Sequence, residues 1–116
     1  MRHLKKGKKF GRVRSRRKSF ITGLVRNLII KGKIKTTETR AEAIKPKTEK
    51  MVTLAKKQNL ASLRLLQGRL PKDAANKLYY EIAPRYKNKR GGYLRITKTS
   101  TKRKRDAASQ AIIEFI

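Results

Sequence analysis

Apolar residues recur at helical spacing in several stretches of the chain, and the first stretch predicts a long helix. Its stripe begins after Ser15, which can act as an N-cap, and ends before Gly32, where a left-handed C-terminal glycine is expected. The stripe consists of Phe20, Ile21, Leu24, Val25, Leu28 and Ile29. Because these residues repeat at i, i+4 and i+8 in adjacent rows, we expect them to face the core.

A second stripe predicts another helix that starts near Thr39. Thr39 and Glu42 have the spacing of a capping box, in which each side chain satisfies a backbone N–H of the first turn. The stripe consists of Ala41, Ile44, Thr48, Met51 and Ala55. Pro46 interrupts it, and a proline inside a helix removes one backbone hydrogen bond, so we expect a kink or a division into two helices.

Two shorter helices are predicted farther along the chain. Asn59 can cap the first of them, whose inward residues are Leu60, Leu63 and Leu66. Pro71 suits the first turn of the second, because a backbone N–H is not needed there, and Pro84 is expected to end that helix. The inward residues of this last helix are Ala74, Leu78 and Ile82.

Short alternating segments predict three strands, at residues 33–37, 93–99 and 110–116. In the first, Ile34 is expected to point inward. The last two are expected to pair as an antiparallel hairpin with a long positive loop at its tip. The predicted fold class is therefore α+β, with about four helices packed on a small mixed sheet of three short strands and a basic extended N-terminal arm.

The charge balance favours a polyanionic partner. The 116 residues include 34 Lys and Arg but only 7 Asp and Glu, which gives a net charge of +27. A folded chain with this charge repels itself, and binding to an anion relieves the repulsion. Few anionic surfaces match a nucleic acid, which carries roughly one phosphate per 1.7 Å of duplex axis.

The first 14 residues are basic and lack any hydrophobic period. We expect residues 1–14 to be an arm that is disordered without RNA and becomes ordered along phosphates; the alternative is a solvated tail. The length suits one domain, so residues 15–116 are expected to form a single α+β RNA-binding domain. The basic residues fall in several separate segments, which favours RNA over duplex DNA read by one helix.

Several function classes are set aside. The chain has no cysteine, which excludes disulfides and thiolate metal sites, and it has no apolar run long enough to span a bilayer. No signal peptide is evident, which favours a cytoplasmic or organellar-matrix setting. The single histidine, His3, lies in the arm, and the carboxylates are dispersed. We therefore predict no enzyme activity, no cofactor, no metal, no small-molecule substrate and no membrane partner.

Aromatic residues are candidates for stacking on exposed bases. Phe10, Tyr86 and Tyr93 are the candidates, and Tyr86 is the one most expected to stay outside the core because charges flank it. Core packing is predicted for Phe20, Tyr79 and Phe115. One alternative to RNA binding stays open at this point, a nucleoid-type protein that compacts DNA. A cationic protein that acts on membranes is disfavoured, because no predicted helix combines a wide apolar face with one basic face.

The segment KNKRGGYLRI, residues 87–96, places a glycine pair between a charge cluster and a strand. One hypothesis is a turn, since glycine accepts a positive φ. The other is that Gly91 and Gly92 let the backbone approach an anion held by the flanking charges. The residues by themselves leave both hypotheses open.

Several motifs occur here in the order seen in one protein family. They are the start MRHLKKGKKFGR, Arg26-Asn27-Leu28, IKTT, PRY at 84–86, RGGYLRI and the ending DAASQAIIEFI. On these motifs the chain resembles the bacterial-type large-subunit ribosomal protein L17 family over essentially its whole length.

The resemblance implies a structural component of the large ribosomal subunit that binds 23S-type ribosomal RNA near the outer rim of the polypeptide exit tunnel. It implies neighbouring large-subunit ribosomal proteins as further partners, and a cytoplasmic or organellar ribosome as the location. It also implies that both glycine hypotheses hold, with Arg90 and Arg95 contacting phosphate.

The candidate RNA-binding residues are basic side chains in the arm, the first helix, the strands and the loops, together with one histidine, one tyrosine and the glycine pair. They are Arg2, His3, Lys5, Lys6, Lys8, Lys9, Arg12, Arg14, Arg16, Arg17, Lys18, Arg26, Lys35, Arg85, Tyr86, Lys87, Lys89, Arg90, Gly91, Gly92, Arg95, Lys98, Lys102, Arg103, Lys104 and Arg105.

Overall fold

Helices and strands account for most of residues 8–116, the part of the chain that the computed structural model describes. The order is α1 (Arg14–Lys31), β1 (Lys33–Thr37), α2 (Glu38–Ala55), α3 (Leu60–Arg69), α4 (Lys72–Lys77), β2 (Leu94–Lys102) and β3 (Ser109–Phe115). Helix α4 continues without a break into a π-helical turn, Leu78–Ile82, and a short 3-10 helix, Ala83–Tyr86. The predicted α+β class is confirmed.

The three strands form one sheet in the order β1-β3-β2. Strand β3 runs antiparallel to both neighbours, so the sheet is antiparallel throughout and the prediction of a mixed sheet is wrong. The predicted hairpin of the last two strands is confirmed. Strand β2 extends to Lys102, farther than predicted, because an irregularity between Lys98 and Lys102 lets it continue beside the start of β3.

One face of the sheet packs under the helices. Ile34 and Ile96 lie opposite Ile113 on either side, and Ala111 lies opposite Thr36 in the next row. Ile113 and Ala111 have no exposed surface, and α2 contacts all three strands. This helix-covered face, called here the inner face, forms the base of the core.

Helix α1 buries the predicted stripe and ends where predicted. Ile21, Val25, Leu28 and Ile29 are buried, and Phe20 and Leu24 pack against them. Gly32 has φ 81° and donates its N–H to the Leu28 carbonyl at 2.8 Å, which confirms the left-handed cap. The predicted N-cap is wrong: Val13 precedes the helix, because its carbonyl already accepts the Arg17 N–H at 2.8 Å and Ser15 therefore lies inside the helix.

Helix α2 starts one residue before the predicted cap and runs through its proline. Thr37 Oγ1 accepts the Arg40 N–H at 3.3 Å, so Thr37 rather than Thr39 is the N-cap. The helix is continuous over 18 residues with Pro46 inside it, so the division into two helices does not occur. Pro46 is exposed, which leaves its ring room outside the core. Val52, rather than Met51, is the buried residue at that turn.

The shorter helices follow the predictions with shifts at their ends. Asn59 caps α3 by accepting the Ser62 N–H at 2.7 Å, as predicted. Leu66 is buried, but Leu60 in the first turn is 58% exposed, so the prediction that it points inward is wrong; Leu70, just beyond the other end of the helix, is buried. The predicted inward residues of the last helix, Ala74, Leu78 and Ile82, are buried. Pro84 does not end the helical backbone, since it occupies the first turn of the 3-10 helix.

Candidate nucleic-acid interface

The segment before α1 is fixed to the helix by aromatic and cationic contacts. The Phe10 ring meets the Phe20 ring edge to face, with centroids 5.8 Å apart. The Arg12 guanidinium lies 3.9 Å from the Phe20 centroid and donates to the Phe10 carbonyl at 2.8 Å, and Arg40 lies 4.9 Å from the same ring. Phe10 and Arg12 therefore tie the segment before α1 to the domain through their side chains.

The predicted arm falls only partly within the described residues. Lys8 and Lys9 are exposed, and Lys8 Nζ forms an ion pair with Glu42 at 3.1 Å. The predicted contacts Arg2, His3, Lys5 and Lys6 lie outside the described residues. The disorder of the arm in the absence of RNA stays a prediction.

Tyr86 is buried, so the prediction that it lies outside the core is wrong. The 3-10 turn directs its ring between Tyr93 and Phe115, with centroids 5.2 and 6.5 Å away, and its exposed fraction is 5%. Its hydroxyl donates to the Ile116 carbonyl at 2.7 Å, and burial raises the pKa of the Tyr86 phenol. Tyr93 is equally buried. Neither ring presents a face for stacking on a base.

The glycine pair sits in a turn, called here the glycine turn (residues 87–93), which is held at two points by Glu49 of α2 and by Lys56, the residue after α2. Glu49 Oε2 accepts the Tyr93 N–H at 3.1 Å. The Lys56 ammonium donates to the Lys89 carbonyl and, at 2.8 Å, to the Tyr93 hydroxyl. These bonds fix the backbone on both sides of the pair.

Within the turn, the two glycines differ. Gly92 has φ 68°, in the left-handed region, and Gly91 does not. A Cβ added at either position would meet nothing within 4 Å. The turn hypothesis therefore explains Gly92, and the space around both positions is open. The exposed cations on this turn and the preceding helix are Arg85, Lys87, Lys89 and Arg90.

The second face of the sheet, called here the outer face, is polar and accessible. Lys33 and Arg95 lie opposite Glu114 on either side, and Lys35 lies opposite Ile112 in the next row. Arg95 forms an ion pair with Glu114 at 2.9 Å, whereas Lys33 and Lys35 have no carboxylate partner among residues 8–116. The outer face thus presents three exposed cations in two neighbouring rows, and none of them belongs to the core.

The tip of the β2–β3 hairpin carries consecutive cations. Lys102, Lys104 and Arg105 are exposed, and Arg103 forms a two-point ion pair with Asp106. The Arg103 hydrogen bond lowers the pKa of the Asp106 carboxyl below its ordinary value. Lys98, in contrast, lies in a row of the inner face and pairs with Glu38 at 3.1 Å at the start of α2.

Helix α1 carries cations along its exposed side. Arg14, Arg16 and Lys18 are exposed, and Arg17 is half-buried. Arg26 forms an ion pair with Asp73 at 2.6 Å, and this hydrogen bond lowers the pKa of the Asp73 carboxyl. Arg26 therefore also links α1 to α4.

Most of the positive charge in the described part is not neutralised by carboxylates. The ion pairs found there involve five basic side chains, and all five lie at the surface. Exposed pairs of this kind contribute about 0–1 kcal/mol, so an arginine or lysine can exchange its carboxylate for a phosphate at little cost. The structure therefore places available cations on α1, the glycine turn, the outer face and the hairpin tip.

The sequence prediction left out several exposed cations, among them Lys33, Lys47 and Arg69. Lys33 had a signal, because it alternates with Lys35 on either side of Ile34 and so must share the face of Lys35. Lys47 and Arg69 belong to different helices, and only the packing of the helices brings their surroundings together. No local pattern marks them.

Residues 8–116 contain no group of three His, Cys, Asp or Glu side chains placed to hold a metal ion. Their helices also include none with the length and apolar character needed to cross a bilayer.

Comparison with known proteins gives one consistent result. The family described as Ribosomal protein L17 matches residues 20–116. Large ribosomal subunit protein bL17 of Persephonella marina is 48% identical over 118 residues, covering all of this chain and 95% of the relative. The proteins of the same name from Sulfurihydrogenibium sp. and Hydrogenobaculum sp. are 43% and 42% identical, again over all of this chain and over 97% and 99% of their own lengths.

Proposed function

The chain belongs to the ribosomal protein L17 family, so its role is structural rather than enzymatic, and from this premise we propose that it binds and stabilises large-subunit ribosomal RNA near the rim of the polypeptide exit tunnel. Its partners in this proposal are the ribosomal RNA and neighbouring large-subunit proteins. Its location is the ribosome in the cytoplasm.

The observation that carries the RNA-binding proposal is the surplus of cations over carboxylates on separate elements. Lys33, Lys35, Lys104 and Arg105 are exposed and have no carboxylate partner among residues 8–116. They occupy the outer face and the hairpin tip, while the cations of α1 and the glycine turn occupy other parts of the surface. An RNA that folds around the domain can reach all of these surfaces at once, whereas a straight duplex contacts one side.

Gly91 and Gly92 have a specific part in this proposal. Arg90 precedes the glycine pair and Arg95 follows it on β2, and a Cβ added at either glycine would meet nothing within 4 Å. A phosphate can therefore approach the backbone here without meeting a side chain. Arg90 and Arg95 would hold that phosphate, with Arg95 exchanging Glu114 for it.

Sedimentation of a cell lysate tests the proposal. An epitope-tagged copy of the full chain should migrate with large ribosomal subunits on a sucrose gradient and should leave that fraction after ribonuclease treatment. Migration with chromosomal DNA, with release by deoxyribonuclease instead, would overturn the proposal and support the nucleoid-type alternative. A matched gradient with a tagged non-ribosomal basic protein controls for non-specific adhesion to RNA.

A further inference from the structure

Two adjoining cavities form one groove along α1 and α2. The larger, of about 680 Å³, lies between the segment before α1 and the middle of α2. The smaller, of about 300 Å³, continues to the end of α3. Lys18, Ile21 and Lys47 line both cavities. We call the combined depression the α1–α2 groove.

The walls of the groove are basic. Arg14, Arg17, Lys18 and Lys47 contribute from α1 and α2, and Arg69 contributes from the end of α3. The one carboxylate among the described lining residues is Glu42, which already pairs with Lys8. A ligand in the groove therefore meets a strongly positive potential.

The floor of the groove is apolar. Its accessible apolar surface here comes from the half-buried Met51, while Ile21 and Val25, which are 5% and 1% exposed, belong to the core and close the bottom. Phe10 and Pro46 add apolar surface at the other end. Basic walls above an apolar floor fit a ligand that is negative along one edge and flat and apolar along the other.

A single strand of nucleic acid has this chemistry. Its phosphates follow one edge and its unpaired bases expose their faces, whereas a duplex hides the base faces inside the stack. We propose that the α1–α2 groove binds a single-stranded segment of RNA, with phosphates on Lys18 and Lys47 and bases or sugars against the apolar floor. This inference rests on the proposed function, and it specifies that the α1–α2 groove binds RNA in single-stranded form.

Gly68 is consistent with an occupied groove. It lies inside α3, where glycine is less favourable than alanine, and it lines the smaller cavity. A Cβ added at Gly68 would meet nothing within 4 Å, so the protein core does not require the glycine. Its lack of a side chain leaves the end of the groove open.

A matched pair of double variants tests the charge contacts. Lys18→Gln with Lys47→Gln removes two cations from the groove, and Lys31→Gln with Lys57→Gln removes two exposed cations at the far end of α1 and just beyond the end of α2, outside both cavities. The probe is fluorescein-labelled octauridylate, with an RNA duplex of equal length as the comparison. The full-length protein is used throughout.

The groove variant should bind octauridylate about tenfold more weakly or worse, and its salt slope should fall by roughly 1.4, the value for two phosphates of a single strand. The outside variant should lose less than about threefold, because charges farther away than about 8 Å are screened at physiological salt. Duplex binding should change alike in both variants. Equal losses of octauridylate in the two variants, or an equal loss of duplex and octauridylate in the groove variant, would overturn the inference.

A steric test avoids any change in charge. Gly68→Leu should fill the end of the groove and weaken octauridylate binding by about threefold or more, and Gly23→Leu, in α1 outside both cavities, should not. Circular dichroism establishes that each variant is folded. Unchanged octauridylate binding by a folded Gly68→Leu variant would count against the groove, as would a parent protein that binds the duplex but not octauridylate. Either result would leave migration with large subunits intact, so it would not bear on the proposed function.

Discussion

The two faces of the sheet share a backbone but differ in what their side chains do. On the inner face Ile113 lies between Ile34 and Ile96 and has no exposed surface. On the outer face Ile112, the preceding residue, is half-buried between Lys35 and Thr97. Because side chains alternate along a strand, one face can specialise in stability while the other carries charge. Substitutions at two consecutive residues of a strand should therefore affect different properties: stability at the inner-face position and RNA binding at the outer-face cations.

Ile113→Ala should give the largest effect, and it should fall on stability. Removing a fully buried isoleucine costs about 2–5 kcal/mol in the free energy of unfolding, through lost transfer energy and the cavity left behind. Ile112→Ala is the control one position away and should cost about 1 kcal/mol or less, because its side chain is half exposed. Urea denaturation measures both, and equal losses would show that the two faces are not distinct.

Removing the cations of the outer face should weaken RNA binding and leave stability unchanged. Lys33→Gln with Lys35→Gln removes two cations without carboxylate partners in the described part, so the free energy of unfolding should stay within about 0.5 kcal/mol. Affinity for a large-subunit ribosomal RNA transcript should fall about tenfold, and the salt slope should fall by roughly 1.4 to 1.8.

The control for this pair is Lys50→Gln with Lys57→Gln, two exposed lysines near the end of α2. It changes the net charge by the same amount. The same reduction of the salt slope in both double variants would mean that the outer face has no special part in binding.

Gly92→Ala should have an intermediate effect at the turn that leads into the sheet. Its φ of 68° makes a side chain unfavourable by about 1–2 kcal/mol, although no atom would clash with the added methyl group. Gly91→Ala has neither problem and should be nearly neutral in stability. If the backbone approaches RNA at this turn, both variants should bind the transcript more weakly while circular dichroism shows them folded. Parental affinity in both folded variants would leave Gly92 with a role in the turn only.

The smallest effect is expected at the hairpin tip, where the two faces end. The Arg103 hydrogen bond depresses the pKa of Asp106 below its ordinary value of 3.8. The stabilisation is therefore present above that ordinary value and is lost as the pH falls through the depressed pKa of the folded state. Asp106→Asn should lower stability slightly at pH 7 and should make the decline in acid less steep. Parallel stability curves for parent and variant between about pH 7 and pH 2 would contradict this assignment.

Local sequence signals predicted the fold well where neighbouring residues alone determine the start or end of a helix or strand. Gly32 marks the end of α1, and the alternation around Ile34 gave β1 its observed bounds. The predictions failed where contacts between distant parts of the chain determine the position of a side chain. Tyr86 is flanked by charges, yet the 3-10 turn directs its ring into the core.

The candidate interface was likewise predictable where its cations are neighbours in the sequence, and not where packing brings them together. The cations of the arm, the turn and the hairpin tip are visible as clusters in the sequence. The α1–α2 groove is not, because Lys18, Lys47 and Arg69 come from three helices and share no sequence pattern. The ties from Glu49 and Lys56 to the glycine turn also depend on tertiary packing.

The central claim is that cations of the outer face contact RNA in the large subunit. Lysine reactivity toward an acetylating reagent, measured by mass spectrometry on the free protein and on purified large subunits, tests this claim most directly. We predict that Lys33 and Lys35 react in the free protein, are protected in the intact subunit and become reactive again after ribonuclease digestion. Equal reactivity of these two lysines in the free protein and in the intact subunit would contradict the claim.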